Sequence, residues 1–196
     1  MRDSELLARI RESLAKKSPK VGNVLFIAID GHGGSGKSTF AGLLSEVLNA
    51  EVIRQDDFAS WDNPLNWWPI IIERVFEPIM AGATNISYPR SKWWPNHKPE
   101  PVIDKPVTPI MILEGVSSSR REFRKYISMA IFIDTPEDVC FRRGTERDLA
   151  TGKTQKEVEA EWKNWLKEED EYFARDNPKS YADVVIDGLK PFTLNS

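Results

Sequence analysis

A chain of 196 residues, 40% of them hydrophobic, is long enough to bury on the order of 70% of its unfolded surface without disulfide or metal staples. Its 27 basic and 30 acidic residues leave a net charge of −3, which excludes a global basic field for collecting nucleic acid or an anionic membrane and points to a small-molecule partner. Cys140 is the only cysteine, so an internal disulfide and a cysteine-rich metal cluster are excluded. With no apolar signal core at Met1-Arg2-Asp3-Ser4-Glu5 and no membrane-length apolar run, a cytoplasmic location is expected.

Residues 1–20 are expected to hold an amphipathic helix, with Leu6, Leu7, Ile10 and Leu14 on one stripe over 4–15 and Ser18-Pro19 ending it. Residues 24–29 then form an apolar, β-branched run of the kind a buried parallel strand requires. It leads directly into Gly31-His32-Gly33-Gly34-Ser35-Gly36-Lys37-Ser38 and Thr39, a full G-x-x-x-x-G-K-S match with helical periodicity beyond it, Phe40, Leu43, Leu44, Val47 and Leu48 facing inward. This is the pattern of a phosphate-binding loop. Its glycines let successive N–H groups point inward, the helix adds the positive end of its dipole, Lys37 supplies a mobile cation and Ser38 a hydroxyl for Mg²⁺.

A short second strand over 51–54 delivers Gln55-Asp56-Asp57-Phe58 to the carboxyl end of the sheet, where open α/β sheets bind ligands. Residues 59–106 hold most of the prolines and five tryptophans, including Trp61, Trp67 and Trp93. Within them only 69–80 has helical periodicity. An insertion of this length and aromatic content is expected to wall an acceptor site. A third strand over 107–113 ends in Glu114-Gly115, and the acid beside a phosphate loop is expected to hold Mg²⁺ through water. Arg120, Arg121 and Arg124 read as a solvated helix face. A fourth strand over 129–134 precedes Pro136, which opens a helix carrying Arg143 and Arg147 at i and i+4, so that both guanidinium groups can close on one polyphosphate. Gly152 breaks that helix, making 142–153 lid-like. A charged helix over 154–176 and a last strand over 181–186 complete a single domain spanning 1–196.

In this order the stretches IAIDGHGGSGKST, VIRQDDF, WDNP, MILEG, MAIFIDTPEDVCFRRGTERD and EEDEYFARDNPKSYADVVID resemble the uridine kinase and phosphoribulokinase-like branch of P-loop kinases, over roughly residues 22–187. The resemblance implies an α/β P-loop NTPase fold with helices on both faces of a five-stranded parallel sheet in the order 2-3-1-4-5. It implies an ATP- and Mg²⁺-dependent kinase in which Asp56 is the general base, Asp62 grips acceptor hydroxyls and Arg143 and Arg147 are lid arginines. A nucleoside such as uridine or cytidine is the leading acceptor. The substrate wall is expected to include Asp56, Trp61, Asp62, Tyr88, Arg90, Trp93 and His97. Where uridine kinases carry Tyr-Asp-Phe followed by a His and an Arg, this chain reads Ser87-Tyr88-Pro89-Arg90, with His97 later, and one extra residue separates Arg143 from Arg147. A vitamin precursor or sugar phosphate is therefore the alternative acceptor, and a nucleotide-dependent switch the alternative class. Against a GTPase stand the missing N-K-x-D motif and the lack of a D-x-x-G switch after Glu114. Monomer and homo-oligomer are both compatible with the sequence.

Overall fold

The computed structural model describes residues 3–59, 65–90 and 102–194. Its central sheet comprises β1 (Leu25–Asp30), β2 (Glu51–Arg54), β5 (Ile110–Glu114), β6 (Met129–Asp134) and β7 (Val184–Asp187). All pairings are parallel and the order is β2-β5-β1-β6-β7. Counting only these five strands, that is 2-3-1-4-5, as expected. The intervening β3 (Asn85–Pro89) and β4 (Val102–Pro106) pair with each other as an antiparallel hairpin.

The period-2 geometry of β1 divides its side chains between two cores. Phe26 and Ala28 face one layer with Ile53, Leu113, Phe76, Phe123 and Tyr172. Ile27 and Ile29 face the other, where α1 (Asp3–Ala15) contributes Leu7, Ile10 and Leu14, and α2 (Lys37–Leu48) contributes Phe40, Ala41 and Leu44. Apolar residues on both faces explain why β1 reads as a continuous hydrophobic run. α2 starts at Gly36, whose φ of 100° is costly for any other residue, and stops at Asn49 in the left-handed region at φ 49°.

The insertion is more regular than its proline content suggests. α3 (Trp68–Ile71), a π-helical turn over Ile72–Phe76 and α4 (Glu77–Met80) run without interruption. Pro78 brings no N–H to the carbonyl of Arg74, and the ladder widens just ahead of it. The hairpin that follows was not expected from periodicity, because Asn85, Ser87 and Pro89 on its exposed side mask the alternation of buried Ile86 and Tyr88. The third sheet strand begins at Ile110 rather than 107, since Pro109 has no N–H for a ladder and the Val107 N–H bonds Thr84 O instead.

A larger correction concerns Arg120, expected on a solvated face and in fact 2% exposed. Its Nε donates to Glu122 Oε2 at 2.9 Å, its Nη1 donates to Leu65 O, and its guanidinium lies 5.4 Å from the Trp68 ring centroid. Arg124 donates to Ser119 O and Asp176 O and sits 4.1 Å over the Tyr181 ring. Charge and spacing suggested solvent; the planar forks instead satisfy carbonyls where the chain has no regular ladder. α5 (Glu137–Leu149), α6 (Gln155–Asp176) and α7 (Pro178–Tyr181) complete the chain, with a capping box at Thr154 and Glu157 starting α6. Among the described residues no helix is long and apolar enough to cross a membrane.

Replacing Arg120 strips the Leu65 carbonyl of its donor and the Trp68 ring of its cation. Arg120→Ala is expected to lower unfolding free energy by about 2–3 kcal/mol in urea titration. Arg121→Ala, whose side chain is 62% exposed, should cost much less.

Candidate active site

The parallel register fixes the site. Glu114 ends β5 opposite Ile29 of β1 and Arg54 of β2, so it stands at the carboxyl edge of the sheet beside the start of the phosphate loop. Its Oε1 accepts from Ser38 Oγ at 3.0 Å, and the carboxylate is 5% exposed. Burial raises the Glu114 pKa above the ordinary glutamate range, the Lys37 charge opposing and the Asp56 charge adding to the shift. A buried, ionisable oxygen ligand beside a hydroxyl is a donor set that suits a hard divalent cation completed by phosphates and water. Ser38 and Glu114 therefore fit the expected Mg²⁺. Among the described residues no group of three His, Cys, Asp or Glu side chains forms a metal cage.

Gly31, Gly33, Gly34, Ser35 and Gly36 form the loop between β1 and α2. Lys37 is 6% exposed and folds back to donate from Nζ to His32 O at 2.7 Å. Thr135 Oγ1 donates to Ser35 O at 3.0 Å, and the Phe192 ring abuts Gly36, where a Cβ would lie 2.9 Å from Cε2. Ser38 and Thr39 open α2 with both side chains exposed.

On the acceptor side, Gln55–Asp57 is a turn of 3-10 helix rather than an extension of β2. Strand alternation thus does not separate the two aspartates, but the turn does. Asp56 is exposed and near enough to influence Glu114. Asp57 is 4% exposed and accepts from Arg90 Nε at 3.0 Å. Burial raises the Asp57 pKa, with Arg90 opposing. Tyr88, buried on the hairpin, packs 4.5 Å centroid to centroid from Phe58, and burial with the nearby Asp57 charge holds its hydroxyl well above the ordinary range. Tyr88, Arg90 and Asp57 are therefore brought together. Trp61, Asp62, Trp93 and His97 lie outside the described residues.

Arg143 and Arg147 share a face of α5 but do not converge on the loop here. Arg143 donates to Gly188 O at 3.1 Å, while Arg147 donates to Asp148 Oδ1 at 2.9 Å. Two acids that motif reading passed over hold the loop. Asp30, 1% exposed, accepts from the N–H groups of Gly31, Ser117 and Ser119 and from the Ser119 and Tyr172 hydroxyls, at 2.7–3.1 Å. Glu169 on α6 accepts from Gly33 N–H at 2.8 Å. The aspartate immediately preceding the first motif glycine was an available signal for the former; for Glu169, one acid in a charged helix, no signal existed.

The Phosphoribulokinase / Uridine kinase family profile matches residues 92–193. The chain is 30% identical over 181 residues to a uridine kinase of Borrelia duttonii, covering 83% of this chain and 86% of that one. It is 25% identical over 185 residues to a uridine kinase of Tolumonas auensis, with the same coverage of each. Among solved structures, a possible uridine kinase from Bacillus stearothermophilus superposes with a TM-score of 0.65 at 23% identity, over 93% of this chain and all of that one, a likeness of fold.

The Glu114 shift sets a pH test. Because the folded state favours the protonated carboxyl, ionisation costs stability as pH rises from the unfolded pKa through the raised folded one, and the cost is complete above it. Without metal or nucleotide, Glu114→Gln should match wild type in thermal stability near pH 4 and exceed it increasingly toward pH 8. A gap that stays constant or reverses with pH would contradict the burial of this charge.

Proposed function

Given that this chain belongs to the Phosphoribulokinase / Uridine kinase family, we propose that it transfers the γ-phosphoryl group of ATP to a hydroxyl of a nucleoside such as uridine or cytidine. It is a phosphotransferase with an alcohol acceptor, and members of this family use ATP with Mg²⁺. The observation that carries the assignment of roles is the meeting of Lys37, Ser38 and Glu114 at one sheet edge, with the exposed Asp56 beside them.

The acceptor oxygen attacks the γ-phosphorus while the bond to the β–γ bridging oxygen breaks, and ADP leaves with that electron pair. Such transfer is dominated by positioning and charge stabilisation. Lys37 turns from His32 O to the terminal phosphates and follows the charge that builds on them. Asp56 takes the hydroxyl proton; its exposure and its place next to the metal ligand Glu114 support that role over Asp57. Ser38 and Glu114 would hold Mg²⁺, which would supply neutralising charge at the phosphate oxygens. Arg143 and Arg147 close from α5 once a polyphosphate outcompetes Gly188 O and Asp148. The insertion walls the acceptor, with Tyr88 and Arg90 presented from its hairpin; Trp61, Asp62, Trp93 and His97 are the further candidates.

Coupled ADP release with Mg-ATP across nucleosides, vitamin precursors and sugar phosphates tests the acceptor. Uridine or cytidine should give the highest kcat/KM, and Lys37→Ala should abolish turnover while leaving the fold intact. Activity confined to another hydroxylated metabolite would replace the nucleoside; no acceptor-dependent release at all would remove the kinase reading.

Asp56→Asn should lower kcat by about 10²- to 10⁴-fold with little change in nucleotide affinity, since Asn keeps the shape but not the base. Asp57→Asn should instead lower thermal stability through loss of the charge facing Arg90, with a far smaller effect on kcat. The reverse ranking would make Asp57 the base.

A further inference from the structure

Of the two acids that hold the loop, Glu169 takes no part in the transfer step above. Glu169 is 1% exposed, and its Oε1 accepts from Gly33 N–H at 2.8 Å and from the Trp165 indole N–H. Its Oε2 lies 3.0 Å from His32 Nδ1. The same peptide unit that gives its Gly33 N–H to Glu169 gives its carbonyl, His32 O, to Lys37 Nζ at 2.7 Å. A trans peptide points N–H and C=O in opposite directions. Lys37 and Glu169 therefore grip one peptide plane from its two sides, and the carboxylate does not occupy the lysine's side of the loop.

The approach is built for this contact. A Cβ on Gly33 would lie 3.0 Å from Glu169 Oε1 and 3.1 Å from Trp165 Nε1, so any larger residue there would press the acid back by a few tenths of an ångström. Two turns before Glu169 on α6, Trp162 donates from Nε1 to Asp148 Oδ2 at 2.8 Å, and the other oxygen of Asp148 holds Arg147. The Trp162 ring lies against Gly144 of α5 so closely that a side chain there would overlap it. One face of α6 thus touches both the phosphate loop and the arginine helix.

Resting on the phosphotransferase reading above, we propose that Glu169 is a positioning residue that braces the His32–Gly33 peptide, so that Lys37 is held ready inside the loop for an incoming nucleoside triphosphate. A charge-assisted hydrogen bond to the Gly33 N–H fixes the orientation of the peptide plane, so the loop does not have to be ordered when nucleotide arrives. Without the acid the peptide is free to rotate, and the lysine loses its fixed starting point. The competing reading makes Glu169 an anionic placeholder that phosphate must displace. The two differ in sign: neutralising a placeholder tightens nucleotide binding, whereas removing a brace weakens it.

Calorimetric titration of the full chain with Mg-ATP and Mg-ADP, for wild type, Glu169→Gln and Glu169→Ala, separates them, together with the Gly33 amide resonance in ¹⁵N–¹H spectra. Glu169→Ala should weaken both nucleotides about tenfold or more, a factor typical of a charge-assisted hydrogen bond, while acceptor affinity is unchanged. Glu169→Gln, which keeps an oxygen for Gly33 N–H, should fall between. In wild type the Gly33 amide should stay shifted downfield when Mg-ATP binds. Nucleotide binding equal to or tighter than wild type in a folded Glu169→Ala overturns the brace, as does loss of the Gly33 downfield shift on nucleotide binding. If Glu169→Ala does not fold, Glu169→Gln decides by the same sign. Wild-type protein that binds neither nucleotide overturns the phosphotransferase reading and the brace's role within it, an outcome distinct from wild-type binding that the variants leave intact.

Discussion

The Asp30 carboxylate is the contact on which the arrangement of the site depends. A charge buried this completely is tolerable only if its lone pairs are filled, and here five donors fill them. Those donors come from three separate segments: the first residue of the phosphate loop, the loop following Glu114, and α6 through Tyr172. One side chain at the end of the central strand thereby sets the relative positions of the nucleotide loop, the metal-binding edge and the helix behind them. Ser117 shows what this requires. It is a non-glycine residue at φ 73°, a conformation costing on the order of 1–3 kcal/mol, and it keeps that backbone with its N–H aimed at Asp30. Burial, with the Asp30 charge adding to it, holds the Tyr172 hydroxyl well above its ordinary range, so that it stays a donor.

α6 is a charged helix, as expected. Its functional weight lies in four buried polar or aromatic positions. Trp162 reaches Asp148, Glu169 reaches the loop and Tyr172 reaches Asp30, while Asp176 accepts from the Arg121 N–H at 2.8 Å and helps anchor the segment that includes buried Arg120. Residues 162, 169, 172 and 176 follow helical spacing, so a single face serves all four. Helical periodicity does not distinguish an inward carboxylate from its many solvated neighbours.

Legibility followed the range of the interactions. The phosphate loop and the acid at the end of β5 were readable because each rests on local patterning: an apolar run, fixed glycine spacing, a charge where packing would not put one; the strand order was implied by the family resemblance alone. Long-range polar satisfaction was not readable. Arg120 looked solvated because its acceptor, Leu65 O, is distant in sequence and carries no side-chain signal. Asp56 and Asp57 were separable only through burial, since the alternation expected of a strand gives way to a 3-10 turn. The β3–β4 hairpin escaped notice because its exposed side includes a proline and polar residues that blur a period of two.

The order of the central strands also has a consequence for how the chain reaches this state. β1, which carries the phosphate loop, pairs with β5 and β6, and β2 pairs with β5; none of these partners is its neighbour in sequence. Closing such long loops loses chain entropy before any sheet contact compensates, a topology associated with slow folding. Only the small β3–β4 hairpin joins strands consecutive in sequence by antiparallel pairing, and it lies apart from the central sheet. During synthesis the phosphate loop therefore emerges long before the strands that shape it. Until β6 has left the ribosome, the apolar β1 has no completed sheet to enter, and the nascent chain carries an unpaired hydrophobic strand, a feature that favours aggregation.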